Sequence, residues 1–207
     1  MSRLFVSFEG IDRAGKTTQA GLLADALGDR AVRVREPGGT PVGERIRELL
    51  KDPSTEIGDR AEALLFAAAR AEVVDRVIAP ALADGRVVVC DRFLDSSLAY
   101  QGAGRGLGVE AVDAVGRFAT AGLEPDLTFL LALAPDAAAA RSGVADRFED
   151  QGVRLQRRVL EAYEHLAAAE PVRWRRVDAE RPAEAVHAEV MAEVERAIAV
   201  ATAKAPA

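Results

Sequence analysis

Residues 10–17 have the types and spacing of a loop that binds phosphate groups. The stretch Gly10-Ile11-Asp12-Arg13-Ala14-Gly15-Lys16-Thr17 matches the pattern G-x-x-x-x-G-K-[ST]. Its glycines let backbone N–H groups converge on phosphate oxygens, and the N-terminus of the helix that follows adds partial positive charge. Lys16 would reach the terminal phosphates of a nucleotide, and Thr17 would offer a hydroxyl to Mg²⁺. These residues together with Thr18 are therefore predicted to bind the phosphates of a nucleotide.

An acidic residue stands where a second part of such a site is expected. Asp91 follows Val87-Val88-Val89-Cys90, an apolar run typical of a parallel strand that is covered on both faces. A carboxylate at the end of that strand would help to hold Mg²⁺, as in other nucleotide-binding loops of this type. A turn or helix cap is the alternative role for Asp91.

Strand and helix patterns alternate along the whole chain. Apolar, β-favouring runs predict strands at 4–8, 31–35, 86–90, 127–133 and 172–177. Helical patterns occupy 16–27, 42–51, 58–84, 109–121, 137–141, 151–169 and 182–203, with Pro80 expected to kink the end of the third. This alternation predicts right-handed crossovers and an α/β fold with a five-stranded parallel sheet flanked by helices. One domain over 1–207 is expected, with a frayed tail at about 203–207.

Composition excludes several classes of function. The chain has 207 residues and a net charge of -6, so it offers no global attraction to nucleic acid. Cys90 is the only cysteine, which excludes an intrachain disulfide and is typical of a reducing compartment. No apolar stretch approaches the ~20 residues of a membrane helix, and a cytoplasmic location is predicted. The sequence has no asparagine, which excludes the Asn-Lys-x-Asp motif of the common GTPases.

Two further segments resemble those of thymidylate kinases. They are Arg35-Glu36-Pro37-Gly38-Gly39-Thr40 and the stretch from Asp91-Arg92 through Ser96-Ser97 to Tyr100-Gln101-Gly102. A third similarity is Asp146-Arg147-Phe148-Glu149, and the resemblance spans residues 3 to about 190. It implies a three-layer P-loop kinase fold with a short lid at about 141–152, and a homodimer. It also implies the reaction of ATP with dTMP to give ADP and dTDP.

The resemblance implies a role for each residue at the reacting phosphates. Lys16, Arg13, Arg92 and Asp12 form the implied catalytic set. Arg92 would grip the acceptor phosphate, since a guanidinium fork matches phosphate oxygens. Asp12 would bond the acceptor sugar's 3′-hydroxyl or approach the metal. Arg141 would lie on the adenine ring, and Arg147 would be the lid arginine.

The resemblance also places the acceptor's base and sugar. Phe66 matches the aromatic residue that stacks on thymine, and Arg70, one helical turn later, matches the residue that bonds its O4. Ser97 matches the position that reads the base edge, with Gln101 near it. Tyr100 would lie against the sugar and favour deoxyribose. Core packing is the alternative role for Phe66.

Arg13 departs from part of the family. Some members carry an arginine at this loop position, whereas others place their arginines in the lid. The centre of the lid here is Ser142-Gly143-Val144-Ala145, which contains none. The hypothesis is that Arg13 supplies positive charge to the transition state. Two other functions stay open: a deoxynucleoside or other nucleoside monophosphate kinase, and an ATP-dependent switch protein.

Overall fold

The computed structural model describes residues 3–141 and 152–203, in which five parallel strands form one sheet. The strands are β1 Leu4–Glu9, β2 Ala31–Arg35, β3 Val87–Asp91, β4 Leu127–Ala132 and β5 Trp174–Asp178. Their order across the sheet is β2-β3-β1-β4-β5, and every neighbouring pair is parallel. The predicted α/β fold with a five-stranded parallel sheet is confirmed.

Helices cover both faces of this sheet. They are α1 Lys16–Leu27, α2 Pro41–Lys51, α3 Asp59–Val73, α4 Ala79–Ala83, α5 Leu94–Ser97, α6 Val109–Thr120, α7 Pro135–Ala140, α8 Gly152–Ala169 and α9 Ala183–Ala203. Side chains alternate along β1, so Val6 and Phe8 pack in the core beneath α1, α8 and α9. Phe5 points the other way and packs in the core beneath α3 and α6. Among the helices of the described ranges, none has the length and hydropathy needed to cross a membrane.

One predicted helix is interrupted. The pattern at 58–84 predicts a continuous helix, but α3 ends at Val73 and a π-helical turn, Val74–Ile78, separates it from α4. Pro80 lies in the first turn of α4. Because proline has no N–H and its ring crowds the preceding turn, the regular ladder cannot pass through it unchanged.

Residues 94–104 form structure that the sequence patterns do not predict. The short helix α5 continues into a π-helical segment, Leu98–Gly104. This segment carries Tyr100 and Gln101, and it has no regular apolar repeat that would predict a helix. The predicted last strand also begins later than expected, at Trp174, because Val172 lies in a turn. The centre of the lid, residues 142–151, and the end of the tail, residues 204–207, lie outside the described residues.

Removing methyl groups from the middle of the sheet will test this packing. Val88 on β3 is 0% exposed, so Val88→Ala should lower the free energy of unfolding by about 2 kcal/mol through lost burial and a cavity. Val172→Ala is the matched control, because Val172 is 87% exposed. Urea denaturation measures both, and equal destabilisation of the two variants would contradict the assigned positions.

Candidate active site

The carboxyl ends of β1, β2 and β3 meet beside one cavity. Phe8 and Arg35 both pair with Asp91 across the parallel sheet, so the segments that follow the three strands start side by side. The cavity has a volume of about 590 Å³. Open α/β sheets bind ligands outside the carboxyl ends of their strands, where neighbouring connections diverge. The residues that line the cavity are Asp12, Arg13, Gly15, Lys16, Thr17, Thr18, Arg35, Glu36, Pro37, Arg47, Lys51, Phe66, Asp91, Arg92, Ser96, Ser97, Tyr100, Gln101 and Arg141.

The loop between β1 and α1 has the backbone expected of a phosphate cradle. Gly10 has φ 139° and Gly15 has φ 95°, values that side chains disfavour. A Cβ at Gly10 would also lie 2.7 Å from the Leu131 carbonyl oxygen. Both positions therefore require glycine, as the motif predicts.

Lys16 is buried within this loop. Its Nζ donates to the carbonyl oxygens of Gly10 at 3.1 Å and Ile11 at 2.6 Å. Burial, and next the nearby charge of Arg92, lowers the pKa of Lys16 to about 8. Lys16 is thus still a cation at neutral pH, held at the mouth of the loop.

Thr17 and Asp91 are brought together as predicted. The Thr17 hydroxyl donates to Asp91 Oδ2 at 2.6 Å. Among the described residues, no group of three or more His, Cys, Asp or Glu side chains could hold a metal. A hydroxyl and one carboxylate beside a phosphate cradle fit Mg²⁺, which takes few protein ligands and completes its shell with phosphate oxygens and water.

Arg92 connects the phosphate loop to the segment that follows β3. Its Nη2 donates to Asp12 Oδ1 at 2.5 Å, and its Nη1 donates to Ser96 Oγ at 3.2 Å. The guanidinium lies 5.1 Å from the centre of the Tyr100 ring. Burial alone would raise the pKa of Asp12, but Arg92 and Lys16 hold that pKa below its ordinary value. Asp12 is therefore an anion between two cations.

Arg13 and Arg141 both line the cavity, and each donates a hydrogen bond to the backbone of the other. Arg13 Nη1 donates to the Arg141 carbonyl oxygen, and Arg141 Nη1 donates to the Arg13 carbonyl oxygen, both at 3.0 Å. Arg141 Nη2 also donates to the carbonyl oxygen of Ala179, in the loop after β5. Arg147 lies outside the described residues.

Phe66 lines the cavity, whereas Arg70, its neighbour on α3, does not. Phe66 is half-buried on the wall, and Arg70 is buried one helical turn later. Arg70 Nε donates to Glu36 Oε2 at 2.8 Å, and its Nη2 donates to Ser97 Oγ at 3.0 Å and to the Phe93 carbonyl oxygen at 3.3 Å. These bonds use Nε and Nη2 and fix the plane of the guanidinium.

Ser97, Tyr100 and Gln101 line the same wall. The contact of Ser97 with Arg70 means that it orients that guanidinium. The Tyr100 hydroxyl donates to Gln156 Oε1 at 3.4 Å, and Gln101 Nε2 donates to Glu62 Oε1 at 3.0 Å. The predicted substrate residues thus lie together, and their contact with a substrate stays a prediction.

Glu9 and Gln156 were missed from the sequence although both support the site. Glu9 is buried and accepts from the Ser96 hydroxyl at 2.6 Å and the Phe93 N–H at 2.7 Å. Burial raises the pKa of Glu9 to about 7. Gln156 Nε2 donates to Asp12 Oδ2 at 2.8 Å. Glu9 directly precedes the loop motif, and that position could have identified it as part of the site. Gln156 is 144 residues away from Asp12, and no sequence pattern connects the two.

Glu36 and three cations on the cavity wall were also missed. Glu36 lies within the segment 35–40, and burial raises its pKa to about 7 against the opposing charge of Arg70. The three cations are Arg35, Arg47 and Lys51. Arg47 and Lys51 are four residues apart on α2, so their shared face could have been found from their spacing.

Comparisons with known proteins agree with this architecture. A family model described as thymidylate kinase matches residues 8–190. A thymidylate kinase of Synechococcus sp. (strain JA-3-3Ab) is 52% identical over 181 residues, which is 85% of this chain and 87% of that protein. One of Pelotomaculum thermopropionicum is 49% identical over 206 residues, 96% and 95% of the two chains. The crystal structure of thymidylate kinase from Ehrlichia chaffeensis has a TM-score of 0.78 and 32% identity, covering 94% of this chain and 99% of that one. The chain belongs to the thymidylate kinase family.

Proposed function

We propose that this protein transfers the terminal phosphoryl group of ATP to dTMP, giving ADP and dTDP. The observation that carries the proposal is one cavity that is lined by the phosphate loop and Arg141 and also by Phe66, Ser97 and Gln101. Arg92 lines the same cavity, beside Asp12 of the loop. A donor and an acceptor nucleotide would therefore meet with their phosphates at Arg92 within one domain.

The reaction needs placement and charge more than a base. The attacking atom is a phosphate oxygen of dTMP, which is already anionic near neutral pH, so no side chain has to remove a proton from it. Lys16 and Arg92 would draw the two phosphates together and offset their repulsion. Asp12 keeps Arg92 turned toward the loop through their ion pair.

We also propose that Mg²⁺ accompanies the ATP phosphates. Thr17 and Asp91 would hold it, supported by their direct contact at the base of the loop. The ion would neutralise charge that develops on the phosphate oxygens during transfer. The cytoplasm stays our prediction for the location of the enzyme.

An acceptor survey will test the reaction. ADP release should be stimulated by dTMP far more than by UMP or thymidine, with dUMP a weaker substrate, because a single methyl group discriminates only about 10-fold to 200-fold. A coupled ADP assay measures all four acceptors. Stimulation by thymidine alone would indicate a nucleoside kinase, and steady phosphate release without an acceptor would indicate a switch protein; either result contradicts the proposal.

Replacing Arg13 will test its proposed role at the transition state. Arg13→Ala should lower kcat by about 10³-fold or more, the range found for arginines that stabilise a transferring phosphoryl group. KM values should change much less, since the charge acts mainly in the transition state. Arg196→Ala is the matched control, because Arg196 is a surface residue of α9. A loss in kcat below about threefold would rule out this role.

We further propose that two copies of the chain associate through α3 and α6. A groove of about 250 Å³ lies between these helices and is lined by apolar residues that include Leu64 and Val115. Leu64 is 58% exposed, and Phe118, one turn beyond Val115, is 90% exposed. Exposed apolar patches of this kind mark protein interfaces. The family resemblance implies a homodimer and so supports a second copy as the partner.

Charge placed on this face should separate the copies. Phe118→Asp should shift the sedimenting species from two chains of 22.0 kDa to one, because burying the new carboxylate is unfavourable. The side chain is exposed within one subunit, so its fold should persist. Val172→Asp places the same charge at another exposed apolar residue and should leave the assembly intact. A wild-type protein that sediments as a monomer at micromolar concentration would refute the interface.

A further inference from the structure

Glu62 is a buried carboxylate behind the wall on which we place the base. It lies in the first turn of α3, and its side chain is 1% exposed. Glu62, Phe66 and Arg70 are spaced by four residues and so share one face of the helix. Phe66 lines the cavity, whereas Glu62 does not. Any effect of Glu62 on a substrate must therefore pass through a neighbouring residue.

Arg105 and Gln101 both donate to this carboxylate. Arg105 donates from Nε to Oε1 at 3.2 Å and from Nη2 to Oε2 at 3.0 Å. Gln101 donates from Nε2 to Oε1 at 3.0 Å. Arg105 and the Glu62 carboxylate thus form a paired, charge-assisted contact. A carboxylate offers acceptors only.

That charge decides which way the Gln101 amide is turned. If the amide were reversed, its carbonyl oxygen would face a negative carboxylate in a buried site, which is unfavourable. Gln101 is 2% exposed, so water cannot replace the lost bond. Nε2 is thus committed to Glu62, and Oε1, on the opposite side of the planar group, is the acceptor that remains for a ligand in the cavity.

The π-helical segment makes this arrangement possible. The Arg105 N–H donates to the Tyr100 carbonyl oxygen, five residues earlier, at 2.8 Å. The wider turn sets Gln101 and Arg105 against one carboxylate while Tyr100 faces Arg92. Such π turns occur frequently at functional sites.

We propose that Glu62 is a positioning residue that sets the hydrogen-bonding pattern of the base pocket: by holding Gln101 Nε2, it presents Gln101 Oε1 to the N3–H of a keto pyrimidine. The inference rests on the proposed function, because it concerns the acceptor nucleotide. Thymine offers an N3–H donor, which complements Gln101 Oε1, and an O4 acceptor, which the family resemblance assigns to Arg70. Cytosine offers a lone pair at N3 and an amino group at C4, so Gln101 Oε1 would face a second acceptor and be left unpaired.

Glu62→Gln will test this role, because a neutral amide can donate as well as accept and no longer dictates the orientation of Gln101. The probes are dTMP and 5-methyl-dCMP, which share the 5-methyl group and differ at N3 and C4. We expect KM for dTMP to rise about tenfold, kcat to stay within about threefold, and the kcat/KM preference for dTMP to fall at least about tenfold. Glu164→Gln, which breaks an exposed ion pair with Arg176, is the control and should change none of these.

A double-mutant cycle will show whether Glu62 acts through Gln101. Gln101→Leu removes the acceptor at similar size, and it should lower the preference for dTMP as Glu62→Gln does. In the Gln101→Leu background, Glu62→Gln should then have little further effect on that preference. An equal, additive loss in both backgrounds would overturn the inference. If Glu62→Gln does not fold, Gln101→Leu decides alone: undiminished preference for dTMP overturns the inference.

Measurements on the wild-type enzyme separate the proposed function from the proposed role of Glu62. If it phosphorylates no nucleotide but calorimetry shows that it binds dTMP more tightly than 5-methyl-dCMP, the proposed function fails while the pocket pattern can still be tested by binding to the variants. If it phosphorylates dTMP and the Glu62→Gln preference is unchanged, the proposed function stands and the role of Glu62 is refuted.

Discussion

The ion pair between Arg92 and Asp12 is the contact on which the arrangement of the site depends. It ties the residue after β3 to the loop after β1, and these two segments carry the groups that we propose for the acceptor and the donor respectively. Asp12 is in turn held by Gln156 from α8. Because each partner is charged and mostly buried, removing either would leave an uncompensated charge, which is far more costly than losing a surface pair. The register of the parallel sheet places both residues within reach of this bond.

Buried carboxylates recur behind the cations of this site. Glu36 holds Arg70, Glu62 holds Arg105, and Glu9 bonds the Ser96 hydroxyl that Arg92 also contacts. An acidic protein thus concentrates positive charge in and beside one cleft, because these buried or half-buried arginines each have a fixed acidic or hydroxyl partner. Each partner uses some of the N–H donors of its arginine and leaves the others in a defined direction. Arginine suits this use better than lysine, since its planar fork keeps those directions fixed.

Local patterns allowed much of the fold to be predicted. Helix α1 begins and ends at the predicted residues, and β2 spans the predicted range, because their glycines, apolar repeats and flanking turns all act within a few residues. The loop motif and Asp91 were found for the same reason. Pro80 was expected to disturb the end of the long helix, but the π-helical turn that begins at Val74 was not predicted. The π-helical segment at Leu98–Gly104 was not predicted either, since it depends on how the backbone packs against distant elements. Gln156 and Glu62 were missed because their importance lies in partners far along the chain, 144 residues for Gln156 and Asp12.

Arg13 and Arg92 share a backbone feature with glycine. Their φ angles are 62° and 71°, in the left-handed region that costs a residue with a side chain about 1–2 kcal/mol. At both positions glycine would adopt this backbone conformation at lower cost, whereas the proposed chemistry requires a guanidinium. Selection for a more stable protein and selection for a faster enzyme therefore pull in opposite directions at these two residues. Arginine at both positions marks the phosphate loop and the start of the segment after β3 as places where the fold accepts strain in exchange for the direction in which a charge points.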